Sequence, residues 1–167
     1  MKIKIASLSD GETRWKEEIS PESVDLDTSA YRRPLKVDLI ALKRPGKIQI
    51  EVGVEAEQTT ICDRCCEDMV LTTRDQCSVY FSERELIHPE EEEGDDFRSF
   101  IMGQEELDVT AEVRDAVMLS APFQSFCSDD CKGICDKCGT NLNQKNCECI
   151  AEVIESPTEL KNGIRIT

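Results

Sequence analysis

The sequence contains very little histidine and few aromatic residues, which limits the functions that it can have. His88 is the single histidine, and aromatic residues make up 5% of the 167 residues. A Ser/His/Asp triad would depend on that histidine, which stands beside Pro89 in an acidic stretch. Glycine is also scarce, and Gly103 and Gly133 stand alone rather than in a phosphate-binding loop. We therefore expect that the protein is not an enzyme and has no small-molecule substrate.

Long apolar runs are absent as well. No stretch approaches the roughly 20 apolar residues that a membrane-spanning helix requires. Residues 1–15 alternate between apolar and polar side chains and lack the apolar core of a signal peptide. These features predict a cytoplasmic protein without a membrane partner. In a reducing compartment, ten cysteines indicate metal ligands rather than disulfides.

The charge balance is strongly negative, with a formal net charge of −15. Such a chain repels free nucleic acid at long range, so contact with RNA would need a local basic patch or a protein partner. Much of the acidity lies between Glu83 and Asp96. This stretch is interpreted either as a solvated loop or as a docking segment for a basic partner.

Alternating apolar and polar residues predict a mainly β structure. The clearest pattern runs from Leu35 to Ala41, turns at Lys43–Lys47, and resumes from Ile48 to Ala56. Two such runs joined by Pro-Gly form a β-hairpin with one buried face. Four further stretches also suit strands: Met1–Ser7, Thr13–Ile19, Met69–Phe81 and Phe97–Met102.

One helix is predicted at about residues 108–120, with Asp108 or Thr110 as its cap and Pro122 after its end. The expected fold class is α+β and mainly β: a small antiparallel sheet or open barrel, one main helix and a zinc-bound C-terminal lobe. The expected domains are an antiparallel β domain at 1–122 with an acidic loop at 83–96, a cysteine-rich metal-binding lobe at 123–151, and a polar tail at 152–167.

Four C-terminal cysteines have the spacing of a zinc site: Cys135, Cys138, Cys147 and Cys149. Two ligands separated by two residues reach one ion because the chain folds into a tight knuckle, and Gly139 after the second cysteine favours that turn. Four thiolates make a closed tetrahedral site, and zinc is the metal that it suits best. The segment has too few apolar residues to fold unaided, which favours a structural metal.

A second four-thiolate site is predicted from two pairs that are distant in sequence: Cys62 with Cys65, and Cys127 with Cys131. It would join the C-terminal lobe to the β-sheet. Two alternatives stay open. A single zinc could leave Cys62 and Cys65 unused, or Cys131 could replace one of the cysteines at 147 and 149.

Two cysteines have no evident partners, and Cys66 and Cys77 are expected to be small packing residues. A redox role for Cys62 and Cys65 is a weaker interpretation. The nearby Glu67 would raise a thiol pKa, and a redox motif requires a helix N-terminus where strands are predicted.

Basic residues gather around the predicted hairpin, where they are candidates for contact with RNA phosphates or a partner: Arg32, Arg33, Lys36, Lys43, Arg44 and Lys47. Lys36 and the turn residues are expected near one end of the hairpin. The alternative is an ordinary solvated hairpin tip.

Two cysteine motifs are long enough to compare with known families. One is Cys131–Asn143, CKGICDKCGTNLN, followed by Cys147-x-Cys149, and the other is the Cys-x-Arg-Cys element at Cys62–Cys65. Both resemble motifs of the YceD family. The resemblance implies a role in accumulation or processing of large-subunit ribosomal RNA, and an association with a ribosomal protein or pre-ribosomal particle. The alternative is a zinc-stabilised interaction or metal-handling module unrelated to ribosomes.

Overall fold

The computed structural model describes residues 1–84 and 97–149. Within these ranges it contains seven strands and one α-helix: β1 (Lys2–Lys4), β2 (Gly11–Ile19), β3 (Leu35–Arg44), β4 (Lys47–Ile61), β5 (Asp68–Arg84), β6 (Phe97–Ile101), β7 (Glu106–Asp108) and α1 (Thr110–Ser120). The structure confirms a mainly β fold with one main helix. His88, most of the acidic loop and the tail at 152–167 lie outside the described residues.

Five strands form an open sheet in the order β2-β3-β4-β5-β6, and β1 pairs with β7 in a separate two-stranded sheet. The hairpin of β3 and β4 is antiparallel, with Leu39 opposite Val52 and Arg44 opposite Lys47. β2 lies antiparallel to β3 on the other side. β6, by contrast, runs parallel to β5, so the sheet is not antiparallel throughout.

The hairpin supplies the centre of the core because its apolar residues alternate. The inward residues of β3 and β4 are almost fully buried: Leu35, Val37, Leu39, Ala41, Ile48, Ile50, Val52, Val54 and Ala56. Successive strand side chains point to opposite faces, so this pattern leaves the other face to polar residues. Each buried Val, Leu or Ile contributes about 1.5–3 kcal/mol relative to exposure.

Helix α1 packs its buried residues, Val113, Ala116 and Val117, into the same core. The Asp108 carboxylate accepts a hydrogen bond from the Thr110 backbone N–H, 2.9 Å away. Burial raises the pKa of Asp108, but the hydrogen bonds from Thr110 outweigh that effect and lower it overall. Asp108 therefore satisfies an N–H of the first turn, as expected, although Val109 occupies the N-cap position.

The chain divides into two compact units, Met1–Thr60 with Val70–Phe123, and Ile61–Met69 with Gln124–Thr167. The first contains the sheets and the helix. The second contains the cysteines of both proposed metal sites. The sequence placed residues 61–69 in the β domain, whereas the structure groups them with the C-terminal cysteines. Among the described residues, no helix combines the length and the apolar character that crossing a membrane would require.

Candidate metal centre

A tight turn between β4 and β5 brings Cys62 and Cys65 together. The backbone N–H of Cys66 donates to the carbonyl of Cys62 at 2.9 Å, and Cys66 takes a left-handed conformation with φ of 58°. The Cys135 turn repeats this geometry, because Gly139 donates to the Cys135 carbonyl at 2.8 Å and has φ of 69°. Both Cys-x-x-Cys pairs thus lie on knuckles of one kind.

The first tetrad consists of Cys62, Cys65, Cys127 and Cys131, whose sulfurs all lie within 4.8 Å of one another. Cys62 Sγ is 3.8 Å from Cys131 Sγ, and Cys65 Sγ is 3.6 Å from Cys127 Sγ. Four sulfurs at about 2.3 Å from a tetrahedral zinc would be separated by about 3.8 Å. The distances far exceed an S–S bond of about 2.0 Å, and all ten cysteines are free.

Hydrogen bonds lower the pKa values of two thiols in the first tetrad, Cys62 and Cys131. Burial raises the pKa of Cys62, but backbone N–H groups led by that of Cys127, which lies 3.4 Å from its sulfur, lower it to about 6. The side-chain amide of Asn143 lowers the pKa of Cys131 and donates to its sulfur at 3.3 Å. The pKa values of two of the four thiols are therefore lower than that of a free cysteine.

The other two thiols of this tetrad are held protonated. A backbone hydrogen bond from Glu67 lowers the pKa of Cys65, but burial and the adjacent thiols raise it to about 12 overall. The Cys131 thiol raises the pKa of Cys127. Four thiolates in contact repel one another, so the set can lose all of its protons when a cation offsets their charge.

Arg64 connects the first knuckle to the segment that carries Cys127 and Cys131. Its guanidinium donates to the carbonyls of Asp129 at 3.1 Å and Cys131 at 3.3 Å. It also lies over the ring of Phe126, 4.0 Å from the ring centre. Arg64 therefore positions the two halves of the tetrad, which gives a physical reason for an arginine in the Cys-x-Arg-Cys element.

The second tetrad consists of Cys135, Cys138, Cys147 and Cys149, whose sulfurs also lie within 4.8 Å of one another. Hydrogen bonding to Thr140, whose hydroxyl is 3.3 Å from Cys138 Sγ, lowers the pKa of Cys138 to about 6. The adjacent Cys138 sulfur raises the pKa of Cys149 to about 11. The sulfurs meet in the two predicted groups of four, and Cys131 lies with the first group rather than with Cys147 and Cys149.

Two polar side chains of the Cys131–Asn143 motif and its flank contact Glu67 on the first knuckle. Asn141 and Gln144 donate to the Glu67 carboxylate at 2.9 Å and 2.7 Å. Sequence reasoning gave no role to these residues or to Asn143. The sequence did contain an indication of these contacts, because the motif continues past Cys138 to Asn143.

The two remaining cysteines, Cys66 and Cys77, differ in their exposure to solvent. Cys66 is exposed, so the prediction that it is a packing residue was wrong. Cys77 is half-buried and packs against the core of the sheet, as expected.

The six basic candidates divide into separate groups along the hairpin. Lys36 lies opposite Glu55, whereas Lys43 lies opposite Ile48, seven residues or about 23 Å further along β3. The expectation that Lys36 joins the turn residues was therefore wrong. Lys36 pairs with Glu55 at 2.9 Å, and Arg33 pairs with Glu57 at 2.9 Å.

The other four candidates are placed as follows. Lys43 donates to the carbonyl of Leu8 at 3.2 Å, and Arg32 donates to the carbonyl of Ser29 at 3.2 Å. Arg44 and Lys47 face each other at the tip, where they form no ion pair with a described acidic residue. Four of the six candidates thus have no ion-pair partner among the described acidic residues, and two of these four, Arg44 and Lys47, lie at the tip.

The fold and site define a small mainly β protein with a module of two four-cysteine clusters. A family model described as "Large ribosomal RNA subunit accumulation protein YceD" matches residues 50–162, and the chain belongs to this family. No solved structure matches the chain.

Two curated relatives are similar to the chain, and both are named "Large ribosomal RNA subunit accumulation protein YCED homolog 1, chloroplastic". The Arabidopsis thaliana protein is 26% identical over 140 residues, which covers 70% of this chain and 44% of the relative. The Zea mays protein is 24% identical over 165 residues, which covers 83% and 56%. The chain thus spans about half the length of these relatives.

Proposed function

We propose that the protein is a non-enzymatic accessory factor of large ribosomal subunit biogenesis, which supports accumulation or processing of the large-subunit RNA. The observation that carries the proposal is the family match over residues 50–162, and the names of both relatives agree with it. The partner is a pre-ribosomal particle or one of its proteins, and the place of action is the cytoplasm.

Zinc is the metal that we assign to both tetrads. Soft thiolates favour zinc, and the sulfur spacings of 3.6 Å and 3.8 Å in the first tetrad suit a tetrahedral ion. The sulfurs of the second tetrad also lie within 4.8 Å of one another. Four protein ligands leave no open position for a water or a substrate, which is the pattern of structural rather than catalytic zinc. When bound, the metal supplies folding energy to the module.

The chain's own residues complete the metal module. Arg64 joins the first knuckle to the backbone around Cys131, and Asn143 donates to the Cys131 sulfur. Glu67 accepts from two amides of the second loop. These contacts stiffen the unit, so its role is to present a fixed surface to a partner rather than to perform chemistry.

Depletion of the protein tests the proposed function. We expect a fall in mature large-subunit RNA and an accumulation of incomplete large-subunit particles on gradient sedimentation. Wild-type protein should restore both, and a Cys62→Ser variant should restore them poorly. Normal particles and normal RNA levels after depletion would contradict the proposal.

A further inference from the structure

A groove on the outer face of the sheet lies at the tip of the β3–β4 hairpin. It has a volume of about 420 Å³, within the range of small-ligand sites. Eight described residues line it: Leu42, Arg44, Lys47, Ile48, Gln49, Tyr80, Phe81 and Ser82. Arg44 and Lys47 are its charged groups among these, and none of the eight is acidic.

A second, larger groove on the same unit serves as a comparison, because acidic residues neutralise its cations. It has a volume of about 660 Å³ and is lined by three cationic and five acidic residues. Its cations are paired with acids, since Lys16 is 2.9 Å from Asp38, and Glu55 bridges Lys36 and Arg74 at 2.9 Å and 2.7 Å. An anion gains little there, so the tip groove is the better anion site.

Tyr80 gives the tip groove a second property, because its aromatic side chain is 39% exposed where it lines the groove. Single-stranded RNA is bound where bases stack on aromatic rings and phosphates meet Arg or Lys. Gln49 and Ser82 add side chains that both donate and accept hydrogen bonds, as base edges require. An acidic peptide would use the cations but would gain nothing from the ring.

We propose that the tip groove binds a single-stranded segment of RNA, with a base on Tyr80 and phosphates on Arg44 and Lys47. This inference rests on the proposed function and names a contact through which it is carried out. Glu83 approaches the turn near Gly46 but does not line the groove.

The net charge of −15 is compatible with such a site. At physiological ionic strength the Debye length is about 8 Å, so charges further from the groove are largely screened. The local charges then set the attraction: Arg44 and Lys47, offset in part by Glu83 beside the turn. The global charge suppresses binding at other surfaces, which favours occupation of this groove over non-specific coating.

Binding of a labelled single-stranded oligoribonucleotide, followed by fluorescence anisotropy, tests the groove. Arg44→Gln with Lys47→Gln should weaken binding and reduce the slope of log K against log salt by about 1.4, or about 0.7 for each phosphate contact. The matched control is Arg33→Gln with Lys36→Gln, which makes the same charge change at the other end of the hairpin. Equal effects of the two pairs would overturn the proposal.

The aromatic contact is tested separately. Tyr80→Leu should weaken RNA binding by roughly 5- to 100-fold, whereas Tyr80→Phe keeps the ring and most of the affinity. A polyglutamate peptide of matched charge serves as a second probe. If the peptide binds as tightly as RNA, and Tyr80→Leu changes neither affinity, the groove is a general anion surface and the proposal fails. Circular dichroism and thermal unfolding confirm that each variant is folded.

Complementation in depleted cells separates this inference from the proposed function. If depletion leaves large-subunit RNA unchanged, the proposed function itself fails. If depletion lowers it and a folded variant carrying Arg44→Gln, Lys47→Gln and Tyr80→Leu restores it fully, the function stands and the groove proposal fails. Failure of that variant, together with rescue by the Arg33 and Lys36 control, supports both.

Discussion

Asn143 donates its side-chain amide to the sulfur of Cys131, 3.3 Å away, so the loop of the second tetrad contacts a ligand of the first. The side-chain oxygen of Asn143, Oδ1, also accepts a hydrogen bond from the backbone N–H of Lys132 at 2.7 Å. One side chain therefore fixes the position of the loop and stabilises the charge on a thiolate. Partners of this kind orient metal ligands and tune the affinity of the site.

Replacing Asn143 with aspartate should weaken metal binding at the first tetrad. Asn143→Asp keeps the acceptor for Lys132 but loses the donor to Cys131 and adds a negative charge beside the sulfur. We expect a loss of roughly 10- to 100-fold in zinc affinity, measured by competition with a calibrated chelator. Gln144→Ala is the control, because Gln144 contacts Glu67 rather than a sulfur. An unchanged affinity in Asn143→Asp would show that the contact has no energetic role.

Metal content tests the two-tetrad arrangement directly. The wild-type protein should bind two zinc ions per chain, and Cys62→Ser should bind one, since three thiolates and a hydroxyl form a weak site. Cys66→Ser is the matched control, because Cys66 follows the same knuckle and its sulfur belongs to neither tetrad. Two ions in Cys62→Ser would contradict the first site, and rapid zinc loss to a weak chelator would favour a metal-handling role.

The first tetrad joins two pairs that are distant in sequence, so its grouping was predicted with alternatives left open. The grouping of the second tetrad was predictable because it depends on local chain geometry. A two-residue spacer fixes the knuckle, and Cys135 and Cys138 find their partners in the following loop. The contact of Asn143 with Cys131 was not predictable in the same way. It depends on how one loop lies against the other, which residue spacing does not specify.

The two wrong expectations have physical reasons. Cys66 was assigned to packing by its residue type, but it lies in an exposed turn, where its backbone has φ of 58°. Lys36 was assigned to the hairpin tip by nearness in sequence, but the strand is extended and places it beside Glu55. The parallel pairing of β6 depends on the connection through residues 85–96, whose composition carries no signal for strand direction.

The left-handed backbone at Cys66 predicts an unusual set of substitution effects. Such a conformation costs a residue with a Cβ about 1–2 kcal/mol, whereas glycine adopts it without this penalty. Glycine has more conformational entropy in the unfolded chain, which offsets part of the stabilisation. Cys66→Gly should therefore stabilise the metal-loaded protein by about 0.5–1 kcal/mol, and β-branched Cys66→Val should destabilise it by about 1–3 kcal/mol.

Urea unfolding of the zinc-loaded protein measures both Cys66 effects. Cys66→Ala is the control for loss of the thiol, because alanine keeps the same backbone penalty. Its stability should stay close to that of the wild type, since the Cys66 side chain is exposed. Equal stability of the alanine and valine variants would show that the turn relaxes and stores no strain.

The bridge of Glu55 between Lys36 and Arg74 predicts a pH-dependent contribution to stability. Hydrogen bonds from Lys36 and Arg74 lower the pKa of Glu55 in the folded protein. The contribution of Glu55 is therefore present above its unfolded pKa of about 4.3 and is lost as the pH falls through the lower, folded value. Glu55→Gln should reduce the melting temperature at pH 7, and the difference from wild type should shrink and disappear below about pH 4.

Melting temperatures of the wild type and of the variants Glu55→Gln and Glu51→Gln, measured from pH 3 to pH 8, check this prediction. Glu51 lies on the same strand and face, and its hydrogen bond is to the amide of Gln49, so it serves as the control. A difference between Glu55→Gln and wild type that persists unchanged at pH 3 would mean that packing, rather than charge, carries the effect.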